Sequence, residues 1–96
     1  VSRTLQRTLL PDNCLLVLEK MDDGRFDIAI IHVQDNVGHC IDDYAYEPED
    51  WRKYGRNLDE LIAKLREHDN WEDIGVAFVE WVDNNKPPPK ITWKEL

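Results

Sequence analysis

The chain has 96 residues, 42% of them hydrophobic and 33% charged. That is enough for one domain around a single core, and it excludes a disordered tail, a collagenous repeat and a disulfide-stapled miniprotein. Twenty Asp and Glu against twelve Lys and Arg leave a net charge of −8, so direct nucleic-acid binding is disfavoured, because Coulomb repulsion would replace counterion release. A basic partner protein is what such a charge selects.

In chain order, Leu5, Leu9 and Leu10 sit at helical spacing before the stop Pro11-Asp12-Asn13, which predicts a short amphipathic turn or an extended arm over Ser2–Leu10. Cys14–Lys20 and Phe26–Val33 are rich in branched apolar residues and flank Asp22-Asp23-Gly24. They predict a β-hairpin with a loop longer than the two-residue minimum. Gln34–Gly38 is a second turn, and His39–Tyr46 a third strand pairing back on the second. Asp42–Asp50 holds five acids and no base, an acidic, loop-like ridge in which Pro48 stands where a helix can begin.

A helix over Leu58–Glu67 has the most local support. Asn57 is a good N-cap, Asp59 and Glu60 fall in the first turn, and Leu58, Leu61, Ile62 and Leu65 make one apolar stripe. Trp71–Val82 fits either period, but Gly75 opens the apolar burst Val76-Ala77-Phe78-Val79, which reads as a buried strand over Val76–Val82. Pro87-Pro88-Pro89 is a stiff connector, with Ile91-Thr92-Trp93 as a last short strand. The expected architecture is a single α+β domain: a small antiparallel or mixed sheet, the N-terminal hairpin plus later strands, packed on one main helix.

Catalysis finds little support. Cys14 and Cys40 stand 26 residues apart, fit neither a CxxC pair nor a zinc knuckle, and are expected as buried free thiols. With no secretory apolar region before them, the cytosol is the expected compartment. The longest apolar run, Cys14–Leu18, falls far short of the roughly 20 residues of a membrane span. His39 and Cys40 are strand neighbours and point to opposite faces, so they make no nucleophile–base pair. His32, His39 and His68 follow no metal-ligand spacing, and the four glycines are isolated, so neither a metal site nor a phosphate loop is expected. The expectation is a non-enzyme without metal or cofactor.

Binding is better supported because the charge is uneven. Residues 42–83 carry thirteen of the twenty acids against five bases, which leaves the rest of the chain neutral. Aromatic residues are interleaved there, and aromatic anchors beside charge are the material of interface hot spots. Most of these rings are needed for the core; Trp51 and Tyr54, beside the acidic ridge and the helix cap, are the exceptions expected to face a partner.

Tyr54-Gly55-Arg56-Asn57-Leu58-Asp59-Glu60-Leu61 resembles the Y-G-x-N-L-D-x-L signature of barstar-type ribonuclease inhibitors, in which this segment opens the helix that plugs a ribonuclease active site. Trp71–Trp81 is similar to that family's tryptophan-led strand ending in Glu-Trp. The chain departs from the family at Lys53, Ile62 and Ala63, the last standing where the family has an inhibitory acid. The resemblance implies a protein inhibitor acting from the start of the helix. Together with the charge it gives one expectation: an acidic inhibitor or immunity-type protein that masks the basic site of a nuclease or nucleic-acid-binding protein. Asp42, Asp43, Glu47, Glu49, Asp50, Asp59 and Glu60 would mimic phosphates, Asn57 would hold the turn, and Trp51 and Tyr54 would supply contact area. The alternatives are a nucleic-acid mimic that antagonises a defence or regulatory complex through its whole acidic face, or a plain interaction domain.

Overall fold

A computed structural model describes residues 2–55 and 57–88. Four strands, β1 (Arg3–Leu10), β2 (Cys14–Lys20), β3 (Phe26–Gln34) and β4 (Val37–Tyr46), form one sheet in the order β1-β2-β3-β4. Every neighbouring pair is antiparallel. The predicted hairpin and third strand are therefore present, and the sheet is a meander rather than mixed.

Turn chemistry fixes this order. Asp12 and Asn13 have φ of 56° and 55°, and Asp35 and Asn36 have φ of 51° and 64°. Paired positive φ at two central residues is the hairpin turn that Asp and Asn tolerate best among residues with a side chain. The β2–β3 loop closes differently: Met21 donates to the Arg25 carbonyl at 2.8 Å, and Gly24 at φ 90° donates back to Met21. Asp23 accepts from the Arg25 backbone N–H, which holds its carboxyl below the ordinary value, and also from Arg25 Nε at 2.7 Å. Of the two expectations for Ser2–Leu10 the helical turn is overturned and the extended one holds: Arg3–Leu10 is edge strand β1. Leu10 and Leu5 do not share a helical face; a bulge between Thr4 and Gln6 shifts the register at Leu5.

Helices follow. Pro48 opens the short α1 (Pro48–Asp50), which runs on as a π-helical turn, Trp51–Gly55. Then come α2 (Leu58–Leu65) and α3 (Trp71–Asn84). α3 corrects the expected strand over Val76–Val82: Ile74, Gly75, Phe78, Trp81 and Val82 are buried at helical spacing. The local β-branched burst was overridden by the cap at Asn70, whose Oδ1 accepts from the Asp73 N–H at 2.9 Å. It also corrects the picture of one main helix, since α3 is longer than α2 and both supply buried side chains. The helix predicted to reach Glu67 ends at Leu65, with Arg66 as its C-cap. Pro89 and the Ile91–Trp93 strand lie outside the described residues.

The core lies between one face of the sheet and these helices. Leu16, Ile28, Ile30 and Tyr46 meet Leu61, Leu65, Ile74 and Phe78, all fully buried. The Tyr46 hydroxyl donates to the Asn85 carbonyl at 2.6 Å, which ties the end of β4 to the end of α3. Burial, with Tyr44 adding, pushes this hydroxyl well above the ordinary phenol range and keeps it a donor. Cys14 is buried as expected; Cys40 is exposed, because it sits on the outer face of edge strand β4. No helix among the described residues is long and apolar enough to cross a membrane.

Candidate partner-binding groove

β4 is an edge strand, and it carries a bulge: Ile30 faces Asp42 and Ile31 faces Cys40, which leaves Ile41 without a partner. A bulge re-aims side chains. Here Ile41 lies against α3, where a Cβ on residue 75 would stand 3.0 Å from Ile41 Cγ2. Glycine at 75 is what lets helix and strand approach this closely.

Beside that contact runs an open groove of about 350 Å³, lined by Ile41, Asp42, Glu72, Gly75, Val76, Val79 and Glu80. Its apolar floor is unusually bare, with Val76 58% and Val79 38% exposed. Three carboxylates border it, and among the described residues no basic side chain lines it. A smaller depression of about 190 Å³ shares Asp42 and Val79 with the groove and adds Asp43, Tyr44, Asp83 and Lys86. Lys86 is committed there to Asp83 at 3.0 Å. The Asp42 carboxylate accepts from the Asp43 N–H at 2.8 Å, which fixes its position beside the groove.

Glu72, Val76, Val79, Glu80 and Asp83 are the functional candidates that sequence reasoning missed. Read as a strand, residues 76–82 put Val76 and Glu80 on one face and Val79 on the other; read as a helix, all five fall on one stripe. The available signal was the Asn70-to-Asp73 capping pattern ahead of an apolar run.

The expected contact residues are divided among β4, α1, the π-helical turn and α2. Asp42 lines the groove, whereas Asp43 borders only the smaller depression beside it. Glu47, Glu49 and Asp50 stand at the start of α1, past the end of β4. Asp59 and Glu60 are exposed in the first turn of α2. Asn57 occupies the cap position, but its side chain donates to Glu60 Oε2 at 3.0 Å rather than capping the helix, and Glu60 also meets Lys64 at 3.8 Å. Trp51 is half-buried, stacked on Phe26 at 5.2 Å and edge-on to Tyr46 at 5.5 Å. Tyr54 packs against the core, with Lys53 Nζ 5.2 Å from its ring centre.

A third depression, of about 330 Å³ between α2 and α3, is polar and lined by Glu60, Lys64, Glu67, His68 and Trp81 among others. The buried indole Nε1 of Trp81 has no partner among the described residues. No group of three or more metal-ligating side chains occurs among the described residues. Cys40 is no reactive thiolate: partial desolvation, then the carboxylates of Asp43, Asp27 and Asp42, push its thiol up. Comparison with protein-family models, curated proteins and solved structures found nothing that matches this chain.

Proposed function

We propose that this chain is an acidic binding protein that covers the cationic, nucleic-acid-binding surface of a partner, acting as an inhibitor or immunity-type protein toward a nuclease. The observation that carries this reading is the groove between β4 and α3, with bare valines on its floor, Asp42, Glu72 and Glu80 on its rim, and no cation among the described residues of its lining. An apolar floor supplies desolvated contact area, while like charges on the rim steer a basic surface toward it and repel acidic ones. Capture of this kind needs neither a cofactor nor catalytic geometry.

The separation of the expected acids over β4, α1 and α2 favours recognition by a broad acidic face over a plug formed by the α2 start alone. The test is binding of the full chain to basic ribonucleases, measured by calorimetry across a salt series together with inhibition of RNA cleavage. Affinity should fall steeply as salt screens the contact. Charge reversal at Glu72 and Glu80 together should abolish binding while leaving the far-ultraviolet spectrum unchanged. A dominant loss with Asp59→Ala alone would restore the helix-plug version. If neither variant alters binding to any basic nuclease that the chain captures, the inhibitor reading is wrong.

A further inference from the structure

The helices cover one face of the sheet, yet the two central strands are apolar on both. On the face away from the helices stand Leu15 and Val17 of β2 and Ala29, Ile31 and Val33 of β3, with Leu9 of β1 beside Leu15 and 76% exposed. Strands that are hydrophobic on both faces belong to sheets covered on both faces. Polar outward residues would serve a solvent face better, and the two central strands lack them at its centre, where the flanking base is Arg7 of β1, opposite Val17.

Carboxylates close one end of this face. Glu19 and Asp27 are directly opposed across β2 and β3, and Asp43 lies one strand further, opposite Ala29. Like charges directly opposed weaken a sheet, so this arrangement is not explained by folding. Asp27 carries the consequence: burial first, then Asp43 and Glu19, lift its carboxyl to about 6, against a smaller opposing pull from Arg25. Ser2 Oγ donates to Glu19 at 2.8 Å and brings no positive charge.

We propose that the outer sheet face docks an amphipathic helix of a separate partner protein, apolar along one side and bearing lysine or arginine where it passes Glu19, Asp27 and Asp43. Charge complementarity selects this occupant. A second copy of the chain would bring another three carboxylates against one Arg7, and a net charge of −8, to the same contact, and so would add repulsion where relief is needed. A helix is one of the elements that cover a sheet face, and its single apolar stripe suits the two central strands. The surface is separate from the groove beside α3, and the inference stands independently of the inhibitor reading.

The probe is a synthetic amphipathic helix with a leucine stripe and lysines at one end, titrated into the full chain and followed by methyl and carboxyl NMR. Its control carries glutamates in place of the lysines. Shifts should concentrate on the methyls of Leu15, Val17, Ile31 and Val33, and the Asp27 titration midpoint should move down from about 6. The glutamate peptide should bind about tenfold more weakly. Glu19→Gln with Asp27→Asn should weaken the lysine peptide by about fivefold in a fully folded chain. Equal binding of both peptides, shifts confined to Ile41, Val76 and Val79, or a dimer of the chain alone that dissociates with shifts at these same methyls would each overturn the proposal.

Discussion

The two faces of the sheet are built by the same strands, alternate residue by alternate residue, yet they meet different fates. Leu16, Ile28 and Ile30 point to the helices and are at most 2% exposed, whereas their neighbours Leu15, Val17 and Ile31 point away and are only half-buried. Side-chain chemistry does not separate the two sets; what covers them does. Burial is thus a property of the layer that arrives from elsewhere in the chain, and the difference between the faces can be measured as free energy.

The largest contrast should come from truncation on either side. Phe78 of α3 is 1% exposed at the centre of the covered side, and Phe78→Ala should cost about 3–5 kcal/mol by urea unfolding, the transfer loss plus the cavity left behind. Val17→Ala on the open face should cost about 1 kcal/mol or less, because part of its surface already meets water. Equal costs would mean that the open face is covered in solution.

Charge sharpens the comparison by reversing the sign. In the folded chain Asp27 titrates near 6, against an ordinary value of 3.8. Below the lower value both states hold the proton and the residue contributes nothing. As pH rises through this window the unfolded chain releases its proton more readily, so stability falls and stays reduced above about 6. Asp27→Asn should therefore stabilise the protein at neutral pH, on the order of 2 kcal/mol after allowance for partial exposure, and leave it unchanged near pH 3. A variant equally stabilised at both pH values would show that something other than ionisation is at work.

Legibility followed the same division. Strands β2, β3 and most of β4 were readable because branched apolar runs were punctuated by Asp, Asn and Gly at the turns. The α2 stripe was readable from Asn57 to Leu65 by its period. α3 was not, because Val76-Ala77-Phe78-Val79 has the composition of a strand and outweighed both the helical period of Trp71–Val82 and the capping pattern from Asn70 to Asp73. The consequence reaches the site, because a strand over residues 76–82 gives Glu72, Val76 and Glu80 no reason to join Asp42. β1 was obscured for a related reason, since its exposed polar residues carry no alternation strong enough to outweigh leucines at spacing four. The acids themselves were visible, but their separation onto β4, α1 and α2 depends on where the chain turns.

A smaller effect tests how the cover is fastened. The Tyr46 hydroxyl, 2.6 Å from the Asn85 carbonyl, is the side-chain hydrogen bond by which β4 holds the C-terminal end of α3. Tyr46→Phe keeps the ring against Trp51 and Tyr44 and removes only that bond, so it should cost about 1–1.5 kcal/mol. Amide exchange should quicken mainly in the last turn of α3. Uniform acceleration along the chain would instead place the loss in the core.

The smallest effects distinguish the starts of the two long helices, which look alike in sequence. Asn70 and Asp73 satisfy each other reciprocally: Asn70 Oδ1 accepts from the Asp73 N–H, and Asn70 Nδ2 donates to the Asp73 carboxylate, both at 2.9 Å. Asn57 and Glu60 share the spacing but only half of the arrangement, since the Asn57 amide reaches Glu60 and leaves the helix N–H groups uncapped. Removing Asn70 should therefore cost about 1 kcal/mol, and Asn57→Ala only a few tenths, because a solvent-exposed amide–carboxylate contact exchanges readily for water. The order matters for the site, because the Asn70 cap fixes the first turn of α3, from which Glu72 reaches the groove. Should Asn57→Ala prove the costlier of the two, the start of α2 would be the more firmly capped, and the proposed partner surface would have its better-fixed carboxylates there rather than beside β4.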